Sequence, residues 1–161
     1  IRRVINKIKQ ENPEYKGDLG FKVFKLDSSN IRAWDPDAKD LAKSLLDHSE
    51  HLVDGRTEED VLYELLLKRG VELTTPIEKK TIGKKTVYSI GYGILFACLA
   101  DSIKKGEVEA LAEGIIKWHK ELGVDGDTQV VFRDSAFEND VAKTNMTAIL
   151  EQNGISHVRS L

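Results

Sequence analysis

The chain predicts an α/β fold, a small and mostly parallel sheet from a C-terminal β–α–β–α–β unit, preceded by two helices and a β-hairpin. Three observations carry this. An uninterrupted apolar run at residues 94–100 reads as a strand covered on both faces. Two amphipathic stretches, at residues 107–122 and 137–152, each end in a glycine turn and each lead into a short apolar strand, at 128–132 and 155–158. Alternation of this kind builds a parallel sheet by right-handed crossovers, with helices on its faces.

Taken in order, residues 1–10 place Ile1, Val4, Ile5 and Ile8 at helical spacing among Arg2, Arg3, Lys7 and Lys9, so the segment reads as the end of a helix. Glycines at 17 and 20 break it. Residues 21–26, Phe-Lys-Val-Phe-Lys-Leu, predict a strand, and Asp27-Ser28-Ser29-Asn30 predicts a turn, because these side chains hydrogen-bond their own backbone. A helix is expected over 36–52, opened by Pro36 and striped by Leu41, Leu45 and Leu46. Thr57-Glu58-Glu59-Asp60 resembles a capping box, and Lys68, Arg69 and Gly70 close the helix that follows. Thr81-Ile82, a Gly83-Lys84 turn and residues 86–90 predict the hairpin. One buried core is expected from Leu95, Ala97, Leu99, Val130, Phe132, Val108, Leu111, Ile115 and Ile149.

With 161 residues, 40% hydrophobic and 32% charged, the chain has the composition of an ordinary globular domain. The net charge of −3 argues against a free-standing domain that grips nucleic acid with a basic face. A single cysteine, Cys98, forbids an internal disulfide and points to the cytoplasm. No apolar run approaches the roughly 20 residues of a membrane helix, so no membrane partner is expected. The first residue is Ile1, which suggests a piece of a longer protein.

Several constellations invite a chemical reading. Asp101-Ser102 and Asp134-Ser135, with Arg133 beside the second, stand at the carboxyl ends of predicted parallel strands, where open α/β sheets bind ligands. They could build a metal or phosphate site. Ser and Asp in such places also cap helices and form turns, and that reading is preferred. Gly91-Tyr92-Gly93 leads into a strand rather than a helix and so fails as a dinucleotide loop. His48 and His51, near Asp47 and Glu50, have helical spacing for a metal but no third ligand in view. His119 and His157 read as packing or surface residues. Lys79-Lys80 and Lys84-Lys85 could touch phosphate with Arg2, Arg3 and Lys7, although edge lysines more often protect strands from aggregation.

At Gly20-Phe21-Lys22-Val23-Phe24-Lys25-Leu26-Asp27-Ser28-Ser29-Asn30-Ile31, and again at Val131-Phe132-Arg133-Asp134-Ser135-Ala136-Phe137 with Lys143-Thr144-Asn145, the chain resembles the C-terminal region of the Mod subunit of type III restriction–modification systems. The intervening Asp60-Val61-Leu62-Tyr63-Glu64 and residues 95–101 fit the same region, so the likeness covers nearly the whole chain. It implies a parent that is a bacterial, S-adenosylmethionine-dependent, site-specific DNA adenine-N6 methyltransferase, forming a Mod homodimer and joining a Res subunit. DNA would be contacted through the parent. In this family a Phe-x-Gly-x-Gly loop holds the cofactor and an Asp-Pro-Pro-Tyr tetrapeptide holds the flipped adenine. Neither occurs here, and Asn12-Pro13-Glu14-Tyr15 departs from the tetrapeptide at Glu14 and lacks its strand context. This stretch is therefore expected to bind no cofactor and to hold no catalytic or metal-binding residue. On the resemblance, residues 1–27 are the tail of the methyltransferase domain and 28–161 a C-terminal assembly domain. The strand at 21–26 would then lack its sheet, leaving residues 1–26 to pack on another copy or to move independently of the body. The alternatives are a small metal-dependent phosphoryl-processing domain using Asp101 and Asp134, and a DNA-contacting module.

Overall fold

A computed structural model describes residues 1–32, 52–124 and 126–161. The helix expected over 36–52, with His48 and His51, lies outside the described residues except for Leu52, which bridges to Ile31. The remaining elements are helix α1 (Arg2–Glu11), helix α2 (Glu58–Lys68), strands β1 (Ile77–Ile82), β2 (Lys85–Ile90) and β3 (Leu95–Cys98), helix α3 (Val108–Leu122), strand β4 (Gln129–Phe132), helix α4 (Asp140–Gln152) and strand β5 (His157–Ser160). Short 3-10 turns at Lys105–Glu107 and Asp134–Ala136 precede α3 and α4.

The fold is α/β, with a five-stranded sheet in the order β1-β2-β3-β4-β5. β1, β2 and β3 form an antiparallel meander, and β3, β4 and β5 are parallel. Only β2 therefore runs against the other four. The hairpin is part of the same sheet as the crossover unit, because β2 registers with β3 through Tyr88 and Ala97, Ser89 and Phe96, and Ile90 and Leu95.

Turn chemistry fixes this register. Ile82 pairs with Lys85, leaving Gly83-Lys84 as a two-residue loop in which Gly83 supplies φ 61°. Between β2 and β3 the chain turns through Gly91, Tyr92 and Gly93, all at positive φ. Gly93 is also a close approach, since a Cβ there would lie 2.7 Å from Val124 Cγ2.

The expected single core is two cores. Side chains alternate across a strand, so Phe96 and Cys98 of β3, with Val130 and Phe132 of β4, point to the face covered by α3 and α4. There they meet Val108, Leu111, Ile115, Met146 and Leu150. Leu95, Ala97 and Leu99 point the other way, with Val131, onto Val61, Leu62, Leu65 and Leu66 of α2. The helices lie on both faces, and the sheet is a three-layer centre.

Boundaries shift for identifiable reasons. The final helix starts at Asp140 rather than 137, because the Asn139 side chain accepts a hydrogen bond from Ala142 N at 2.9 Å and caps it there. Upstream, Phe137 is held extended by a parallel bridge to Ile103. The capping box of α2 forms in full: Thr57 Oγ1 accepts from Asp60 N at 3.1 Å, and Asp60 Oδ2 accepts from Thr57 N at 2.9 Å. The strand expected at 21–26 is not formed. Among the described residues these make no backbone ladder with any strand, and a strand without a partner has nothing to define it.

Candidate functional site

Two regions gather polar side chains from distant parts of the chain. The first is the end of the sheet where β3 and β4 finish. Asp101 follows β3 and is ion-paired with Arg133 Nη1, while Arg133 Nε donates to Ser135 Oγ at 2.9 Å. Asp134 opens the 3-10 turn after β4 and is ion-paired with Lys143 of α4. The structure thus brings both sequence-predicted acids to one end of the sheet, but gives each a cation. Asp134 opens a turn and Asp101 lies in a bend, in keeping with the turn reading, and each is ion-paired besides, because Arg133 and Lys143 fall within reach once β4 and α4 pack.

Beside them lies a carboxylate that the sequence reading did not single out. Glu58, in the first turn of α2, accepts from the Tyr88 hydroxyl at 3.3 Å. Burial raises its carboxyl above the ordinary range and the charge of Asp101 adds to this, while the Tyr88 hydrogen bond and Lys85 oppose it. Lys85 itself pairs with Glu107 at 3.4 Å. Cys98 is buried, its thiol pushed up to about 11 by desolvation. Among the described residues, no group of three or more His, Cys, Asp or Glu side chains is arranged to hold a metal ion.

The remaining candidates are dispersed. Lys79 pairs with Glu59 at 3.2 Å, and Lys80 pairs with Glu121 at 2.8 Å while lying 4.7 Å over the Trp118 ring. These hairpin cations are already partnered by acids of α2 and α3. Lys7 faces Glu11 at 3.6 Å. His157 stands 3.8 Å from Asp127, and His119 is half-buried against Phe96, its Nε2 without a hydrogen-bond partner among the described residues.

The second region is the junction between the N-terminal segment and α2. Residues 1–26 form an arm in which no side chain is buried. Ile1, Val4, Tyr15, Phe21, Val23, Phe24 and Leu26 account for seven of the eleven large apolar side chains exposed among the described residues. Among the described residues the arm touches the body sparingly: Lys22 Nζ donates to Leu73 O at 3.0 Å, and the Phe24 ring meets Tyr63 edge-on at 4.9 Å.

Immediately beyond, the contacts become dense. Glu64 of α2 accepts from Ser29 Oγ at 2.5 Å, from Asn30 N at 2.6 Å and from Lys68 Nζ at 2.9 Å. Asn30, buried, donates its side-chain amide to Asp60 O at 3.0 Å and accepts from Val53 N at 2.8 Å. Arg56 pairs with Asp27 at 3.2 Å and donates to Ser28 Oγ at 2.7 Å. Desolvation works against the Glu64 carboxylate, yet the donors from Ser29, Lys68 and Asn30 together hold its pKa at about 2. The sequence marked 27–30 as a turn, but its partner Glu64 reads in sequence as one more solvated helix acid.

Comparison of the chain with protein-family models, with curated proteins and with solved structures gives no significant match. Among the described residues no helix is long and apolar enough to cross a membrane.

Proposed function

We propose that this chain is the C-terminal assembly region of a type III Mod subunit, part of a cytoplasmic S-adenosylmethionine-dependent DNA adenine-N6 methyltransferase that forms a Mod homodimer and joins a Res subunit. The observation that carries the reading is the concentration of exposed apolar side chains in residues 1–26, at one end of a body whose own strands and helices close two cores. A patch of that kind is typical of a surface that another polypeptide covers. The motif resemblance supplies the identity of the parent, and the arm fits a segment whose packing partners belong to the upstream methyltransferase domain. The alternative readings are less well supported. Asp101 and Asp134 are each paired with a cation, and Lys79, Lys80 and Lys85 are each engaged by a carboxylate, which weakens the phosphoryl reading and the hairpin half of the DNA-contacting one.

The test is the coding sequence upstream of Ile1. It should carry, in frame, a Phe-x-Gly-x-Gly loop and an Asp-Pro-Pro-Tyr tetrapeptide, and an upstream sequence with neither would overturn the proposal. Titration calorimetry of the chain with S-adenosylmethionine should show no saturable heat in the micromolar range.

A further inference from the structure

We infer that Asp27, Ser28, Ser29 and Asn30 form a latch on Glu64 that sets the direction in which the N-terminal arm leaves the body. The inference goes beyond the assembly reading and does not depend on the parent's identity. Three observations support it. First, one carboxylate collects donors from two separate segments, Ser29 and Asn30 from the turn and Lys68 from its own helix, at 2.5, 2.6 and 2.9 Å. Charge-assisted bonds of this length are among the stronger hydrogen bonds available to a protein. Second, the turn is bonded on both sides, because Asn30 reaches Asp60 O and Val53 N, and Arg56 reaches Asp27 and Ser28. A turn anchored at both ends cannot pivot without breaking several bonds together. Third, among the described residues the arm has little else to hold it, since no side chain of residues 1–26 is buried and its contacts with the described body are those of Lys22 and Phe24.

Glu64 is thus a positioning residue: it acts on the arm through the turn. Its removal should free the arm's direction without opening either core, because neither core includes Glu64 or the turn. The two cores need only the residues beyond the latch.

Spin labels on Val23→Cys and Glu109→Cys, both exposed sites, report the arm-to-body distance by pulsed dipolar spectroscopy. The native Cys98 is buried and its thiol is not readily ionised, so it does not compete for label. In the otherwise native chain a single narrow distance distribution is expected. Glu64→Ala should broaden it about twofold or more while the circular dichroism of the body keeps its native form. The pair Ser29→Ala with Asn30→Ala leaves α2 untouched and keeps the Asn30 N–H bond to Glu64, but removes the Ser29 hydroxyl donor and the Asn30 amide bond to Asp60 O; it should broaden the distribution as well, by less than Glu64→Ala, and decides the matter should Glu64→Ala not fold. A distribution just as narrow in both variants, or already broad in the native chain, would overturn the inference.

Discussion

Replacing Gly114 with Ala opposes two effects of known size, and the structure decides which prevails. Gly114 sits in the middle of α3, where glycine is about 1 kcal/mol less favourable than alanine. On propensity alone the substitution should stabilise. A Cβ at this position, however, would lie 2.2 Å from Cγ2 of Ile82, 3.2 Å from its Cδ1 and 3.3 Å from its Cβ. Ile82 ends β1 and packs half-buried against the α3 core. Its Cγ2 is fixed directly to the branched Cβ, so the clash cannot be relieved by swinging a distant methyl and requires a change of χ1 or a shift of the strand end. Overpacking of this kind typically costs about 1–3 kcal/mol. The net effect of Gly114→Ala is therefore a destabilisation of up to about 2 kcal/mol.

The cause can be isolated with a double-mutant cycle. In an Ile82→Ala background Cγ2 and Cδ1 are gone and only the Cβ contact at 3.3 Å remains, so Gly114→Ala should become stabilising by up to about 1 kcal/mol, the helix-propensity gain. Urea unfolding of the four proteins, compared at equal m-values, reads both numbers. If Gly114→Ala stabilises the chain while Ile82 is intact, the close approach of α3 to β1 does not exist as described.

Ile115→Ala should cost about 2–5 kcal/mol, because Ile115 is fully buried at the centre of the α3 face; a loss under about 0.5 kcal/mol would place it at the surface. Glu64 should titrate far below an ordinary glutamate. A carboxyl whose pKa is depressed on folding lends its stabilisation above the unfolded value, here 4.5, and loses it as pH falls toward about 2, so the turn at 27–30 should persist at pH 4 and loosen only below about pH 3. Carbon-13 NMR of the Glu64 carboxyl checks this, and titration near 4.5 would contradict it. Cutting the chain before Asp27 should leave the body folded with a small loss, since the aromatic pair of Phe24 with Tyr63 is worth about 0.5–1.5 kcal/mol. A thermal melt that lost its cooperativity at every concentration would refute that.

What the sequence made legible is what local chemistry decides. The α2 capping box, the Gly83-Lys84 turn and the Gly123 stop of α3 are written in residues a few positions apart, and the parallel pairing of the last three strands follows from the β–α–β alternation. The two-sided core was less visible. Leu95 to Leu99 is apolar at every position, and a run without alternation does not say which side chain faces which helix. That assignment waits on the partners, Leu62 and Leu66 on one side and Ile115 and Met146 on the other. The candidate site was harder still, because its bonds are long-range: Ser29 and Glu64 are 35 residues apart, and Asp101 and Arg133 are 32 apart. Nothing local marks Glu64 as different from Glu59, and only the fold brings the turn to its side.

Charge follows the same division as packing. Residues 1–25 carry seven cationic and three anionic side chains, against seventeen and twenty-four in the rest of the chain. A basic arm on an acidic body ought to collapse onto it, yet among the described residues only Lys22 of the arm's seven cations hydrogen-bonds the body, and it does so through a carbonyl oxygen rather than a carboxylate. Several of the body's acids are already paired: Glu59 with Lys79, Glu121 with Lys80, Glu107 with Lys85, Asp134 with Lys143 and Glu64 with Lys68. Exposed pairs of this kind contribute little to stability, with a median near 0–1 kcal/mol, but each one removes a competing partner for the arm. Charge therefore does little to hold the arm to the body among the described residues, and its apolar side chains stay exposed beyond a single anchored turn.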